Sequence, residues 1–131
     1  MRDAPIERIM TTDPTTIGPG ESAASARELL DTAGIHHLPV VENGKLVGIV
    51  SSADLLKLYM LDGQTTLSAH ATVSQIMELR PKVLGTSARL REAAEKLIAV
   101  GFHALPVVDA NNALVGIVTV SYTHLTLPTK A

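Results

Sequence analysis

The chain of 131 residues contains no cysteine at all. This excludes disulfide frameworks, thiol catalysis and cysteine-based zinc sites, and it fits a reducing compartment, so we expect a cytoplasmic location. Aromatic residues make up only 2% of the chain, namely Tyr59, Phe102 and Tyr122. With so few rings available for stacking, a bound base would be held mainly by aliphatic side chains and backbone groups.

Long apolar runs and strong charge are also missing. No run approaches the ~18 apolar residues of a membrane span, and the first seven residues lack the apolar centre of a signal peptide. The formal net charge is −2, from 11 basic and 13 acidic residues, with no basic stripe. We therefore expect neither a membrane span nor a nucleic-acid partner.

The chain also lacks a recognisable catalytic constellation. It has no glycine-rich phosphate loop of the Walker or dinucleotide type, and no serine beside a plausible histidine–acid pair. Since a cysteine nucleophile is excluded as well, we expect the chain by itself not to be an enzyme and to require no cofactor. The hydrophobic fraction of 46% is nevertheless enough for a real core.

What the sequence does contain is an internal repeat. The motif Gly-Ile-His-His-Leu-Pro-Val-Val at 34–41 returns as Gly-Phe-His-Ala-Leu-Pro-Val-Val at 101–108. Leu-Val-Gly-Ile-Val-Ser at 46–51 likewise returns, with threonine at its end, at 114–119, and Ile9-Met10 returns as Ile76-Met77. A tandem duplication usually folds as two similar units about a pseudo-twofold axis, and a cleft on such an axis is a natural ligand site.

Each repeat is predicted to form a strand, a helix, two strands and a second helix, which makes an α/β (α+β) fold. Apolar periodicity and turn signals place the elements. In repeat one these are a short helix at 6–11, a strand at 15–17, a helix at 21–33 capped by Gly34, strands at 38–41 and 46–50 around Asn43-Gly44, and a helix at 52–61. In repeat two they are a short helix at 73–78, a strand at 82–84, a helix ending at Gly101 and the two strands. The prolines at 14 and 81 favour an extended residue before them.

The predicted domain boundaries are 1–66 for repeat one and 67–119 for repeat two, and residues 120–131 break the pattern. Where repeat one continues into a helix, this tail is rich in β-branched residues and carries Pro128, so it is a poor helix former. It also looks like the translation of a sequencing-library adapter. We interpret it as a non-native tail of a truncated gene, which would leave repeat two without its last helix; a genuine divergent tail is the alternative.

These repeated motifs resemble the CBS domain, named after cystathionine β-synthase, over nearly all of residues 1–119. The resemblance implies a tandem CBS pair, or Bateman module, packed sheet to sheet with up to two clefts. Such modules regulate rather than catalyse, commonly bind AMP, ADP, ATP or S-adenosylmethionine as regulatory ligands, and commonly form homodimers. A structural or protein-interaction module without a small ligand, or a detached regulatory piece of a larger enzyme or transporter, are the alternatives.

The family's Ser/Thr-x-x-Asp signature matches Ser51 to Asp54. By resemblance, the Asp54 carboxylate would accept hydrogen bonds from ribose hydroxyls, and Ser51 would lie beside a phosphate at a helix N-terminus. The same spacing also fits an ordinary helix cap. In repeat two Thr119 aligns with Ser51 but Tyr122 replaces the acid, so the second site is expected to be weaker or absent.

The resemblance further implies backbone contacts to the base from the first short strand and from the loop before Leu-Pro-Val-Val. In repeat one the candidates are Thr15, Thr16, Ile17, Ile35, His36 and His37. In repeat two they are Lys82, Val83, Leu84, Phe102, His103 and Ala104.

The three histidines among these residues could contact a phosphate near neutral pH, or they are ordinary strand-edge residues. No carboxylate or cysteine accompanies them at ligand spacing, so no metal site is expected. Arg80 and Lys82 stand where repeat one has Asp13 and Thr15. This difference would draw a phosphate to one cleft only, unless the two cations are simply solvated.

Overall fold

The computed structural model describes residues 3–62, 70–100 and 104–119. Its helices are a 3-10 helix at Ile6–Arg8, α1 at Ala23–Ala33, α2 at Ser52–Asp62, α3 at Val73–Ile76 and α4 at Leu90–Val100. Its strands are β1 at Thr11–Thr12, β2 at His37–Glu42, β3 at Lys45–Ser51, β4 at Glu78–Leu79, β5 at Leu84–Gly85, β6 at Ala104–Val108 and β7 at Leu114–Thr119. The predicted mixed fold class is confirmed.

The strands form two sheets, and each sheet contains strands from both repeats. One sheet has the order β2-β3-β4 and the other has the order β1-β7-β6-β5. The long hairpins β2–β3 and β6–β7 are antiparallel, as their repeated motifs predict. The short strand β4 of the second repeat pairs with β3, while β1 of the first repeat pairs with β7. The two repeats therefore exchange their opening segments.

The same exchange completes the two hydrophobic cores. Ile6 is fully buried among second-repeat residues such as Leu84 and Leu105, and its amide donates to the Ala88 carbonyl at 2.9 Å. Val73 is fully buried in the core of the first repeat. Each core thus depends on a side chain from the other repeat, so we expect the two repeats to fold as one unit.

Helix α1 ends where its sequence predicts and begins two residues later than predicted. Ser22 is the N-cap and its hydroxyl accepts the Ser25 amide at 3.0 Å, which moves the start of the helix from the predicted residue 21 to Ala23. Gly34 has a left-handed φ of 66° and ends the helix, as expected for a glycine C-cap. The cap predicted at residue 101, like the tail 120–131, lies outside the described residues.

The two hairpin turns lie against each other at one end of the sheets. Asn43 and Gly44 have φ values of 53° and 79°, the pattern of a two-residue type I′ turn. The longer turn of the second repeat is held by Asp109, whose carboxylate accepts the Asn111 amide at 2.8 Å. The Lys45 ammonium group donates to the Asn111 carbonyl at 2.6 Å, so the turns connect the two repeats.

The predicted strands at 15–17 and 82–84 are shorter in the structure. The second is confirmed in part, since β5 at Leu84–Gly85 pairs with β6, whereas the first is reduced to one bridging residue. Asp13 and Arg80 precede prolines but have left-handed φ values of 50° and 53°, so the chain bends at these points. After the bend, Ile17 forms a single bridge to Val40. The physical reason is topological: β1 lies in one sheet and Ile17 in the other, so the chain must turn between them. Further paired residues lie earlier, in β1 and β4, where Thr11 and Glu78 end the segments predicted as short helices.

Two glycines allow the exchanged segments to lie against the hairpins. A methyl group on Gly48 would lie 2.6 Å from the sulfur of Met77, and one on Gly116 would lie 2.6 Å from the sulfur of Met10. Each methionine therefore packs on the glycine of the opposite repeat. The repeated Ile-Met and Leu-Val-Gly-Ile-Val motifs are the two sides of this contact.

Candidate functional site

A cavity of about 740 Å³ opens between the two repeats at the end of the sheets away from the hairpin turns. This volume lies within the range of about 300–1,000 Å³ that is typical of small-molecule sites. The described lining residues are Thr11, Asp13, Pro14, Thr15, Gly34, Ile35, His36, His37, Ser51, Ser52, Ala53, Ile117 and Thr119. Both repeats contribute to the wall, as expected for a cleft on a pseudo-twofold axis.

The strand register explains why these distant residues meet. His37 at the start of β2 pairs with Ser51 at the end of β3, so the loop before β2 and the start of α2 lie side by side. Thr11 of β1 pairs with Ile117 of β7, which brings the opening segment of repeat one against the last strand of repeat two. The cavity lies where these two strand pairs end.

Ser51 and Asp54 form a reciprocal cap on α2. The Asp54 carboxylate accepts the Ser51 amide at 2.8 Å, and the Ser51 hydroxyl accepts the Asp54 amide at 3.2 Å. This is the capping box that the sequence left open as an alternative. Ser51 lines the cavity, whereas Asp54 is not among its described lining residues. The ribose-binding role of Asp54 stays a prediction.

Two of the three candidate histidines reach the cavity. His36 and His37 both line it, and Nδ1 of His36 lies 3.4 Å from the Ser52 hydroxyl. The carbonyl of His36 also accepts the Ser52 amide at 3.0 Å, which ties the loop to the first turn of α2. Phe102 and His103 lie outside the described residues.

The other first-repeat candidates divide into two groups. Ile35 and Thr15 line the cavity, while Thr16 and Ile17 do not. Ile17 is buried, its amide donates to the Pro39 carbonyl at 3.1 Å, and its carbonyl accepts the Val41 amide at 2.9 Å. The backbone of Ile17 is therefore already used in holding β2.

Of the second-repeat candidates that the structure describes, Thr119 alone lines this cavity. Thr119, which the repeat alignment assigns to a second cleft, lines the first cavity instead, because β7 pairs with β1. Lys82 is exposed, and the Val83 carbonyl accepts the Lys96 ammonium group at 3.0 Å. Leu84 is fully buried in the second core, and Ala104 pairs with Thr119 across the hairpin.

Several lining residues were not among the site candidates. Thr11, Asp13, Pro14 and Ile117 come together only through the exchange of opening segments. No local pattern marks them, because their proximity depends on pairing between repeats. Of these four residues, Asp13 alone was notable in the sequence, because it is an acid where the second repeat has Arg80.

Among residues 3–62, 70–100 and 104–119, no group of three or more histidine, cysteine, aspartate or glutamate side chains converges as a metal site would. None of the helices in that part of the chain is both long and apolar enough to traverse a bilayer.

Comparison with known proteins agrees with this architecture. The CBS domain family model matches residues 6–61 and 73–122. The chain is 30% identical over 122 residues to protein MJ1225 of Methanocaldococcus jannaschii, covering 87% of this chain and 44% of that protein. It is thus a member of the CBS domain family and carries two copies of the domain.

Solved structures of CBS pairs share the fold. The crystal structure of Arabidopsis thaliana CBSX2 in complex with AMP matches with a TM-score of 0.80 and 33% identity, covering 98% of this chain and 99% of that one. The CBS pair of protein MJ0100, in complex with 5′-methylthioadenosine and S-adenosylmethionine, matches with a TM-score of 0.82 and 27% identity, covering 99% and 100%. Both of these neighbours are CBS pairs that were crystallised with adenosine-containing ligands, which is the class of module that the repeated motifs predict.

The chain spans between 22% and 44% of the length of the first four curated relatives it matches. Two of these longer relatives are enzymes.

Proposed function

We propose that this chain senses an adenosine-containing ligand, either an adenine nucleotide (AMP, ADP or ATP) or S-adenosylmethionine, in the cavity between its repeats. The observation that carries the proposal is the cavity itself, about 740 Å³ in volume and lined by both repeats. A ligand there would contact Thr11 and Ile117 together with His36 and Ser51, and so would join the two repeats. CBS pairs of the same fold hold AMP or S-adenosylmethionine.

Sensing requires that the ligand favour one arrangement of the repeats over another. A ligand shifts such an equilibrium only by its difference in affinity for the two states. The cavity wall joins the loop before β2, the first turn of α2 and the bend after β1. The loop before β2 and the first turn of α2 are hydrogen-bonded to each other, whereas the bend after β1 belongs to a separate segment. The distance from this bend to the other two segments can therefore change on binding without unfolding either core.

Binding by the whole chain can be tested with a cavity-filling variant and a matched control. Ala53 is exposed, lies in the first turn of α2 and lines the cavity. Ala24 is also exposed and lies in the first turn of α1, but it is not among the described lining residues. Because a phenyl ring at residue 53 would occupy ligand space, Ala53→Phe should weaken binding by about tenfold or more, as expected from a contact worth 1.4 kcal/mol. Ala24→Phe should leave it unchanged.

The measurement is isothermal titration calorimetry with adenosine, AMP, ADP, ATP and S-adenosylmethionine. The proposal fails if none of these compounds binds the folded chain, or if Ala53→Phe binds as tightly as the unsubstituted protein. The variant Asp54→Ala is a poor probe, because removing the carboxylate also removes the acceptor for the Ser51 amide. Asp54→Asn keeps an acceptor oxygen in place and isolates the ribose contact.

The proposed module is non-catalytic and needs no cofactor, and the protein it regulates stays unidentified. Two relatives are enzymes, and this chain spans 22% of the length of each. This similarity supports a role in controlling an enzyme. The homodimer and the cytoplasmic location stay predictions. Leu56 on α2 is 60% exposed beside a groove of about 200 Å³ between α1 and α2, which would suit contact with a second copy.

A further inference from the structure

A single carboxylate lines the described part of the cavity. Asp13 lies at the bend between β1 and Pro14, and its side chain is exposed. Among the described residues, no hydrogen bond or ion pair engages this carboxylate. Its negative charge is therefore not balanced by a neighbour in that part of the chain.

Positive charge for a phosphate is scarce in the same cavity. The described lining includes neither lysine nor arginine, and its basic side chains are His36 and His37. A phosphate is usually bound by arginine, by lysine or by free amides at a helix N-terminus. Neither arginine nor lysine is present in the described wall.

Three amides at the start of α2 are already engaged. The Ser51 amide donates to Asp54, the Ser52 amide to the carbonyl of His36, and the Asp54 amide to the Ser51 hydroxyl. The Asp54 carboxylate also opposes the partial positive charge that a helix N-terminus carries. A phosphate that accepted from these three amides would have to displace their contacts, which weakens the helix start as the anion site that the sequence suggested.

The second repeat shows that the acid at residue 13 is not needed for the bend. Arg80 occupies the equivalent place before Pro81 and has a φ of 53°, against 50° for Asp13. An arginine thus adopts the same backbone conformation. The bend therefore does not require the acid, and Asp13→Asn, which keeps the size of the side chain, tests its charge alone.

We infer that Asp13 determines the ligand class of this cavity and favours adenosyl compounds with a neutral or cationic 5′ substituent over adenine nucleotides. This inference rests on the proposed function and deepens it. S-Adenosylmethionine carries a sulfonium cation at the 5′ position, 5′-methylthioadenosine is neutral there, and AMP and ATP are anionic. Two unit charges about 6 Å apart, at an effective dielectric constant of about 40, alter a binding constant by about tenfold.

The test compares the full chain with Asp13→Asn and Asp13→Arg by titration calorimetry at low salt, using S-adenosylmethionine, 5′-methylthioadenosine and AMP. The unsubstituted chain should bind S-adenosylmethionine about a hundredfold more tightly than AMP, because attraction of the cation and repulsion of the anion each contribute about tenfold. Asp13→Asn should remove most of this preference, and Asp13→Arg should reverse it. Binding of 5′-methylthioadenosine should change by less than about twofold, because that ligand is uncharged.

Glu42→Gln is the matched control, since it removes one exposed carboxylate at the far end of β2 from the cavity. If 5′-methylthioadenosine binds, two results would overturn the role of Asp13 without touching the proposed function. One is equal affinity of the unsubstituted chain for AMP and S-adenosylmethionine, and the other is a preference that survives Asp13→Asn. If no adenosyl compound binds any variant, the proposed function fails and this inference fails with it.

Discussion

Replacing Gly116 by alanine should destabilise the protein, although alanine is usually the better residue in a strand. The added methyl group would lie 2.6 Å from the Met10 sulfur, 2.9 Å from its Cγ and 2.9 Å from the Thr11 carbonyl oxygen. The methionine side chain can rotate away. The carbonyl cannot move without disturbing the pairing of β1 with β7, where Thr12 lies opposite Gly116.

The expected loss follows from two opposing effects. Extra atoms in a well-packed site cost about 1–3 kcal/mol, and the reduced freedom of the unfolded chain returns about 0.4–1 kcal/mol. The net loss for Gly116→Ala should be about 1–2 kcal/mol. For a chain of this length, that corresponds to a fall in Tm of about 4–8 °C.

Thermal unfolding followed by circular dichroism measures this change. Gly20→Ala is the control, because a methyl group at that position meets nothing within 4 Å; its Tm should stay the same or rise. Combining Gly116→Ala with Met10→Ala should cost less than the sum of the two single variants if the sulfur is the main obstacle. The reasoning is refuted if Gly116→Ala is as stable as Gly20→Ala.

Two further predictions concern the exchange of segments and the α2 cap. Ile6→Ala should lower the free energy of unfolding by about 2–5 kcal/mol, because Ile6 is fully buried in the other repeat's core. Amide hydrogen exchange should accelerate in β6 and β7 before it does so in β2 and β3. The reverse order would contradict the swapped position of the opening segment. Ser51→Ala should lower the free energy of unfolding in urea by about 1 kcal/mol, since the Ser51 hydroxyl accepts the Asp54 amide. The equivalent change at the α1 cap, Ser22→Ala, should cost a similar amount. If Ser51→Ala leaves the stability unchanged, the α2 cap contributes none.

Local elements were predictable where neighbouring residues decide them. Gly34 ends α1 because a left-handed C-cap favours glycine, and Asn43-Gly44 forms the turn because both residues tolerate positive φ. The alternative reading of Ser51 and Asp54 as a helix cap needed only their spacing. In each case, the interaction spans no more than a few residues.

The short paired segments were not predictable in this way. β1 and β4 are two residues long each, too short for apolar alternation to show. Their pairing partners lie in the other repeat, about a hundred residues away for Thr11 and Ile117. The left-handed bends at Asp13 and Arg80 depend on the same pairing, since the chain must cross from one sheet to the other there.

The sequence by itself therefore determined the duplication, the hairpins, the helix ends and the CBS family, because those features are written in motifs that occur twice. Only the tertiary structure decided which repeat each opening segment joins, and so which residues share the cavity. A duplicated sequence reads the same whether Ile6 and Val73 pack within their own repeats or across them. In the tertiary structure Met10 packs on Gly116 and Met77 on Gly48, and this exchanged arrangement places Asp13 and Thr119 in one wall.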